Sequence, residues 1–420
     1  MAQVDKKNKL IEKPRILKGF RDFLPPEMGL RNYVLNTMVA VFESFGYLPL
    51  QTPTLEYQDI LLGKYGQEAD RLVYTFEDKG GRSVGLKYDL TVPTSRVLAM
   101  YQNDINLPFK RYQIQPVFRA EKPQKGRYRE VLQCDVDIFG VKTPLADAEI
   151  VAVIYKVLSG LGLADFVIKI NSRQVLFALF EGLDLSEQER ASFLQSLDKL
   201  EKIGKERVIK ELSKKGFVAG LANGILEKQE KAQPDEYLGE VLRLVEVFGV
   251  PKEFFEFDPS MVRGLDYYTG PIFETYIKKP ALGSLTGGGR YDNLVESLGG
   301  PSVPATGTTL GLDRICEVVK ELGLYNEAGS GPKALVAVFE NSLDYALSVL
   351  AKLQTSGIKA EIYLDPKESL RGQIAYASKL KIPYVIIAGS QEKTKGVVVV
   401  KDMKTGEQEE VGLDDLSGTI

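Results

Sequence analysis

The sequence predicts an α+β protein in three parts: a strand-rich domain, a helical module inserted into it, and a small C-terminal α/β domain. Residues 109–140 contain two stretches of alternating polar and apolar residues, the period-two pattern of half-buried strands. Residues 171–249 are almost wholly helical in pattern and rich in Lys and Glu. Beyond residue 333, strand and helix patterns alternate, which is typical of an α/β domain with a mainly parallel sheet.

Composition narrows the class of protein. The 420 residues are 44% hydrophobic and 26% charged, with a formal net charge of −3, so any binding to nucleic acid must rest on local basic patches. No apolar stretch reaches the roughly 18 residues of a membrane span, and the lysine-rich start lacks a signal core. We therefore expect a cytoplasmic protein without membrane contact.

The counts of cysteine and histidine exclude several kinds of chemistry. Cys134 and Cys316 lie far apart at apolar-patterned positions, which favours buried reduced thiols. The chain contains no histidine, so histidine-based triads, HExxH zinc sites and histidine proton shuttles are excluded. The remaining options are carboxylates, arginines, lysines, backbone groups or a bound metal.

Turn and helix signals divide the chain into segments. A helix starts at the Pro25–Pro26 pair and ends near Gly46, two short strands flank a turn at 79–81, and a further helix and strand occupy 146–170. The predicted bounds are a mobile lead (1–18), a main domain (19–170 and 250–326), the helical module (171–249), a linker (327–332) and the C-terminal domain (333–420).

The 109–140 hairpin is the first candidate site. Gln133, Asp135 and Asp137 share one face of its second strand, about 6.6 Å apart. The loop between the strands is cationic, and an arginine fork binds phosphate oxygens in pairs. Pro116 suggests an edge or a bulge in the first strand. The hairpin therefore suits a phosphorylated molecule beside a group that carries an amine; a solvated turn above an ordinary sheet is the alternative.

Three other stretches contain candidate residues. Asp89 ends a strand, where a helix cap is the simpler interpretation. The adjacent Tyr267 and Tyr268, if in a strand, face opposite sides, so at most one would line a given pocket. Residues 287–289 are three glycines, which either let the backbone approach a ligand or form a flexible turn. Arg314 falls in the first turn of a helix, where the free amides already favour anions.

Four segments together resemble the class II aminoacyl-tRNA synthetases, and among them the histidine-specific family. They read FGYLPLQTPTLE, FKRYQIQPVFRAEKPQKGRYREVLQCDVDIFG, GTTLGLDRI and RGLDYYTG, the last being the most specific. The resemblance implies a six-stranded antiparallel catalytic sheet, a C-terminal anticodon-binding domain and a homodimer. It also implies activation of L-histidine by ATP to histidyl-adenylate, followed by transfer to the histidine tRNA. Mg²⁺ is expected with ATP, with ligands unknown.

The resemblance also implies roles for individual residues. Arg119, Arg263 and Arg314 match the arginines that act on the phosphates in catalysis. ATP contacts extend to Glu121 on the adenine side and to Arg127. For the histidine substrate, the matching positions are Asp89, Thr91 and Gln133 at the α-amino group, Asp137 and Tyr268 at the imidazole, and Arg263 at the carboxylate, with Tyr267 as a further histidine-binding residue. Gln124 and Lys125 match contacts to the acceptor end of the tRNA.

Two other functions compete with this interpretation. A regulatory subunit of ATP phosphoribosyltransferase, a non-catalytic relative that senses histidine, would be expected to lack the C-terminal domain or to lose RGLDYYTG, and this chain keeps both. A plain RNA-binding module would leave the arginines and carboxylates of the hairpin unexplained.

Overall fold

The computed structural model describes residues 13–64, 70–122, 128–262, 267–280, 282–326 and 331–420, without the side chains of 201–202. The chain divides into two compact units. The first unit comprises the chain up to Phe23 together with Arg31–Leu324. The second unit comprises Leu24–Leu30 and Tyr325–Ile420. None of the described helices is long and apolar enough to cross a membrane.

The first unit is rich in strands. Its described strands are β1 (Leu48–Pro49), β2 (Leu55–Tyr57), β3 (Thr75–Glu77), β4 (Ser83–Leu86), β5 (Phe109–Phe118), β6 (Glu130–Phe139), β7 (Phe166–Ser172), β8 (Phe255–Phe257), β9 (Pro271–Ile277), β10 (Thr286–Arg290) and β11 (Ala305–Gly311).

Helices alternate with these strands and fill the predicted helical module. In chain order they are α1 (Pro25–Ser44), α2 (Gln58–Leu61), α3 (Thr91–Met100), α4 (Pro144–Gly160), α5 (Arg173–Ala178), α6 (Glu187–Leu197), α7 (Leu200–Ile203), α8 (Lys205–Lys214), α9 (Ala219–Glu230), α10 (Glu236–Val247) and α11 (Leu312–Glu321).

The main sheet differs from the predicted six antiparallel strands. Its described strands number eight, in the order β1-β5-β6-β11-β10-β9-β7-β8. The six central strands, from β5 to β7, pair with one another in antiparallel fashion. At the two edges, β1 pairs with β5 and β8 pairs with β7 in parallel. The sheet is therefore mixed, with a parallel pair at each edge. A separate small sheet has the order β2-β4-β3.

The predicted hairpin is confirmed as β5 and β6. The two strands pair continuously from Phe109 opposite Phe139 to Phe118 opposite Glu130. β1 pairs only with Arg111 and Tyr112, so Pro116 lies beyond it, where its missing N–H costs no bond to that strand. Cys134 and Cys316 are both buried and are not joined in a disulfide, as predicted.

Burial of one helical face explains α1. Val34, Met38 and Phe42 recur at intervals of four residues and are fully buried. After Ser44 the chain turns at Gly46, whose φ of +79° lies in the left-handed region that glycine adopts without strain. The start at Pro25 and the stop at Gly46 thus follow the sequence signals.

The helical module packs on the rest of the first unit through a shared core. Phe180 and Phe193 stack edge to face, and both belong to one apolar cluster with Tyr268 and Ile272. Its last helix, α10, packs along α4. The strand before the module, β7, reaches Ser172, two residues further than the pattern suggested.

The second unit contains its own sheet and core. Its elements are β12 (Ala334–Ala337), α12 (Leu343–Thr355), β13 (Ala360–Ile362), α13 (Leu370–Lys379), β14 (Tyr384–Ile387), α14 (Ser390–Lys395), β15 (Val397–Asp402), β16 (Gln408–Gly412) and α15 (Leu416–Thr419). Strands β13, β12 and β14 are parallel, and β15 and β16 are antiparallel to their neighbours. The sheet is therefore only half parallel, because β15 runs antiparallel to β14 and β16 antiparallel to β15.

Candidate active site

A cavity of about 390 Å³ lies in the first unit, lined by β6, β10, β11 and the segments around them. It brings together nine of the thirteen residues to which the sequence resemblance gives a role, which are Asp89, Thr91, Arg119, Glu121, Gln133, Asp137, Tyr267, Tyr268 and Arg314. The other four candidates, Gln124, Lys125, Arg127 and Arg263, lie outside the described residues.

One wall of the cavity carries a buried ion pair. Asp137 on β6 lies opposite Arg111 on β5, and Arg111 NH2 is 2.7 Å from Asp137 Oδ2. The hydroxyl of Tyr291 donates a hydrogen bond to the other oxygen, Oδ1. Burial raises the pKa of Asp137, and Arg111 opposes this rise. Both oxygens of Asp137 are thus held in fixed directions.

Asp135 is a second buried carboxylate on the same face. It lies opposite Thr309 on β11, whose hydroxyl donates to Asp135 Oδ1. Gln133 Nε2 donates to the same Thr309 oxygen at 3.0 Å. Burial raises the pKa of Asp135 to about 7, and the nearby Asp137 and Asp89 charges add to the rise against Arg111. The predicted polar face of β6 is confirmed as a line of three cavity residues.

Polar side chains of β5 support the Arg111 cation. Arg111 NH1 donates to Gln113 Oε1 at 3.3 Å, and Thr94 Oγ1 donates to the same oxygen at 3.0 Å. Gln113 Nε2 in turn donates to Thr52 Oγ1 at 2.9 Å. This buried layer fixes the guanidinium beneath the carboxylates.

Both adjacent tyrosines line the cavity, so the expectation that at most one would do so was wrong. Tyr267 and Tyr268 precede β9 instead of lying within it, and the alternation rule of a strand does not apply. Their ring centroids are 4.9 Å apart with planes tilted by 59°. Burial raises the pKa of Tyr267, with further contributions from Tyr268 and Asp89. Tyr267 therefore remains a neutral hydrogen-bonding group.

Asp89 bonds to the backbone at the start of α3 and also lines the cavity. Its Oδ1 accepts the Val92 N–H at 3.0 Å, so it caps the start of α3. It also lines the cavity together with Thr91. The cap fixes the carboxylate at the edge of the site.

Two arginines bring positive charge to the cavity. Arg119 follows β5; its Nε donates to the Tyr88 carbonyl at 3.2 Å, and its guanidinium lies 4.7 Å from the centre of the Tyr88 ring. Arg314 lies in the first turn of α11, and its NH1 donates to the Ser284 carbonyl at 2.5 Å. Neither guanidinium forms an ion pair with any residue that the structure describes. Both are therefore available to an anionic ligand.

Glycines make room for these side chains. Residues 287–289 lie in β10 and not in a flexible turn, and Gly287 and Gly288 line the cavity. A Cβ at Gly288 would collide with Thr308 of the neighbouring strand, and one at Gly307 would collide with the Asp137 carboxylate. The close approach of strands at the floor thus depends on missing side chains.

Sequence reasoning assigned no role to several residues of the site. Tyr291, Thr309 and Tyr88 line the cavity, and Arg111 lies beneath it. The alternation of β5 offered a signal for Arg111, because residues on the same face of paired strands lie side by side. The positions of Tyr291 and Thr309 in the site depend on pairing between distant strands, which no local pattern predicts.

The described residues hold no group of three or more acidic or cysteine side chains that would bind a metal ion. Asp89, Asp135 and Asp137 thus do not form a closed metal site. A Mg²⁺ ion that arrives with a nucleotide keeps phosphate and water ligands, which requires no such cage.

The mainly antiparallel sheet with its cavity and the separate α/β unit agree with the class II aminoacyl-tRNA synthetases, and two family models identify the chain as a member of that class. The family model described as "Histidyl-tRNA synthetase" matches residues 19–315, and that described as "Anticodon binding domain" matches residues 333–420. The chain belongs to the histidyl-tRNA synthetase family.

Individual relatives agree with this assignment. The histidine–tRNA ligase of Cytophaga hutchinsonii is 38% identical over an alignment of 450 positions, which covers 97% of this chain and 99% of that protein. The crystal structure of histidyl-tRNA synthetase from Nostoc sp. PCC 7120 matches with a TM-score of 0.82 at 30% identity, over 96% of this chain and 98% of that one.

A third comparison shows the fold alone. A Bacillus halodurans structure described as an ATP phosphoribosyltransferase regulatory subunit/histidyl-tRNA synthetase matches with a TM-score of 0.71 at 21% identity, over 87% of this chain and 97% of that one. This match therefore does not bear on the choice between a ligase and a regulatory function.

Proposed function

We propose that this protein attaches L-histidine to its tRNA in two steps. The histidine carboxylate attacks the α-phosphate of ATP to give histidyl-adenylate and pyrophosphate, and the acyl group then passes to the terminal ribose of the tRNA with release of AMP. The observation that carries the proposal is a cavity with two kinds of lining. Arg119 and Arg314, which form no ion pair with any described residue, share it with a buried wall of carboxylates and phenols.

Arg119 and Arg314 act on the triphosphate in this proposal. The attack builds up negative charge on phosphate oxygens, and guanidinium groups that are already oriented stabilise that charge without reorganisation. Arg119 is held by Tyr88 and Arg314 by the Ser284 carbonyl, which orients both. Glu121 serves the adenine side. Arg127 and Arg263 complete the set from segments outside the described residues.

The carboxylate wall selects histidine. Asp89, Thr91 and Gln133 receive the α-ammonium group, while Asp137, Tyr267 and Tyr268 surround the imidazole. Arg111 and Tyr291 already engage Asp137, so its remaining lone pairs have fixed directions. An apolar amino acid would leave these buried polar groups without partners, which is costly.

Partners follow from the same proposal. Mg²⁺ accompanies ATP and neutralises charge on the outer phosphates, and none of the described residues is assigned to hold it. The second unit binds the anticodon region of the histidine tRNA, and Gln124 and Lys125 meet its acceptor end. A homodimer forms through α1 and β1, which sedimentation of the purified protein would test. We place the protein in the cytoplasm.

The test is amino-acid-dependent exchange of pyrophosphate into ATP, run separately with each of the twenty amino acids. Exchange with histidine only is the expected result. Histidine binding without any exchange would favour the regulatory function instead. Binding of tRNA without binding of ATP would favour a plain RNA-binding protein.

A further inference from the structure

Arg290, the last residue of β10, is a buried hub that takes no part in the proposed chemistry. It is 1% exposed and does not line the cavity. Its Nε and NH2 donate to Asp147 Oδ2 at 3.0 and 2.9 Å, and its NH1 donates to Asp292 Oδ1 at 3.1 Å. The other two N–H groups donate to the carbonyls of Val141 and Thr143, so all five donors of the guanidinium are used.

Arg290 links the segment that carries Tyr267 and Tyr268 to the segment that carries Tyr291. Tyr291 is the next residue along the chain. The Thr269 N–H, directly after Tyr268, donates to the Arg290 carbonyl at 2.7 Å, and the Asp292 N–H donates to Thr269 Oγ1 at 3.0 Å. Gly270 lets the Arg290 side chain pass close, since a Cβ there would lie 2.9 Å from Arg290 Cδ.

The same hub reaches the helical module. Tyr237 on α10 donates to Asp147 Oδ2 at 2.8 Å, which gives that oxygen three donors. Burial and the Asp147 charge raise the pKa of Tyr237, so the phenol keeps its proton at neutral pH. Asp147 lies on α4, along which α10 packs. The last helix of the module is thus bonded to the support of the cavity.

We propose that Arg290 is a positioning residue for the histidine side of the site, and that Tyr237 and Asp147 make α10 part of its support. The inference rests on the proposed function. It holds that Tyr267, Tyr268 and Tyr291 keep their places because the Arg290 side chain is anchored to Asp147, to Asp292 and to two backbone carbonyls. A change at α10 therefore alters histidine binding while Arg119 and Arg314, which are held by other elements, keep the nucleotide.

The main test is Tyr237→Phe, which removes only one hydroxyl. In the exchange assay we expect the KM for histidine to rise about three- to tenfold, the effect of one lost hydrogen bond, with the KM for ATP within about twofold of wild type. Arg290→Lys keeps the charge but loses most donors, so it should give a larger rise in the same direction. If Arg290→Lys does not fold, Tyr237→Phe and Asp147→Asn carry the test.

The matched control is Tyr155→Phe on α4, whose hydroxyl bonds to none of the described residues; both KM values should stay unchanged. Hydrogen exchange supplies a readout independent of activity. The peptide spanning residues 267–277 should exchange faster in Tyr237→Phe, and the peptide around Arg314 should not.

Equal rises in both KM values, or an unchanged histidine KM with unchanged exchange of the 267–277 peptide, would overturn the positioning role. Failure of the wild-type protein to exchange pyrophosphate with histidine would instead refute the proposed function. In that event the peptide exchange rates alone decide whether Arg290 and Tyr237 hold this segment.

Discussion

Arg111 and Asp137 sit at paired positions of β5 and β6 and form an ion pair of 2.7 Å in which the Arg111 side chain is 0% and that of Asp137 4% exposed. The pair places a positive charge directly beneath a cavity wall that also contains Asp135 and Asp89. Without this cation, burial and mutual repulsion would act unopposed on the charges of these carboxylates.

Arg111→Met should therefore destabilise the protein strongly. Loss of one partner leaves Asp137 buried without its cation, and we expect the free energy of unfolding to fall by about 3–5 kcal/mol. Urea denaturation at neutral pH measures it. The control is Arg243→Met, which removes an exposed ion pair with Glu240 and should leave the denaturation midpoint unchanged. A wild-type midpoint for Arg111→Met would contradict the structural importance of the pair.

Asp137→Asn should weaken the use of histidine and spare that of ATP. Because a hydrogen bond to a charged group is replaced by a weaker one, we expect the KM for histidine to rise roughly 10- to 100-fold. The exchange assay measures it. The complementary variant Arg314→Ala should slow exchange about 100-fold with a near-normal histidine KM. An unaltered histidine dependence in Asp137→Asn would remove this residue from the imidazole site.

Asp135 predicts a pH dependence of stability. Its pKa is raised from 3.8 to about 7 by burial, so the folded protein holds a proton that the unfolded chain has released in this range. The contribution of Asp135 to stability is complete below about pH 4 and is lost as the pH rises to about 7. Asn resembles the protonated form. The Tm of Asp135→Asn minus that of wild type should thus be more positive at about pH 8.5 than at about pH 5.

Asp258 provides the control for that measurement. Against the effect of burial, hydrogen bonds from Lys169 and Ser260 lower its pKa below 3.8. Its charge is therefore the same in both states across this range, and the Tm difference for Asp258→Asn should not change with pH. A flat profile for Asp135→Asn as well would show that Asp135 stays ionised in the folded protein.

Gly307→Ala should damage the site by crowding it. The added methyl group would collide with the Asp137 carboxylate and lie 2.6 Å from the Val136 carbonyl oxygen, at a cost of about 1–3 kcal/mol. A lower Tm and a raised KM for histidine are expected. Gly239→Ala on α10, with no atom within 4 Å of the new methyl group, should instead raise the Tm slightly. Equal Tm values for the two variants would contradict this account of the floor.

Local patterns predicted those parts of the structure that depend on neighbouring residues. The alternation around Gln133, Asp135 and Asp137 identified the cavity wall because side chains two residues apart share a face of a strand. Arg314 was placed correctly in the first turn of α11 because a small-residue strand ran into an amphipathic pattern. Both conclusions needed only a few consecutive residues.

Pairing between distant segments was beyond such patterns. Nothing local shows that β1 and β8 add to the two edges of the sheet in parallel, which gives eight strands in place of the predicted six. The Arg111–Asp137 pair requires the exact register of two strands. Tyr267 and Tyr268 both face the cavity because they lie in the turn that precedes β9 and not in a strand, where neighbouring side chains would point to opposite faces.

The continuous pairing of β5 with β6 also determines where this chain tolerates a change of length. A single residue inserted into β6 would rotate every later side chain to the opposite face, so that Val136 and Ile138 would replace the carboxylates in the cavity. An insertion between Phe118 and Glu130 would leave all ten pairs in place. The strand pairing therefore tolerates a change of length between Phe118 and Glu130 but none within β5 or β6, so where related chains differ in length in this hairpin, the difference should lie between the strands.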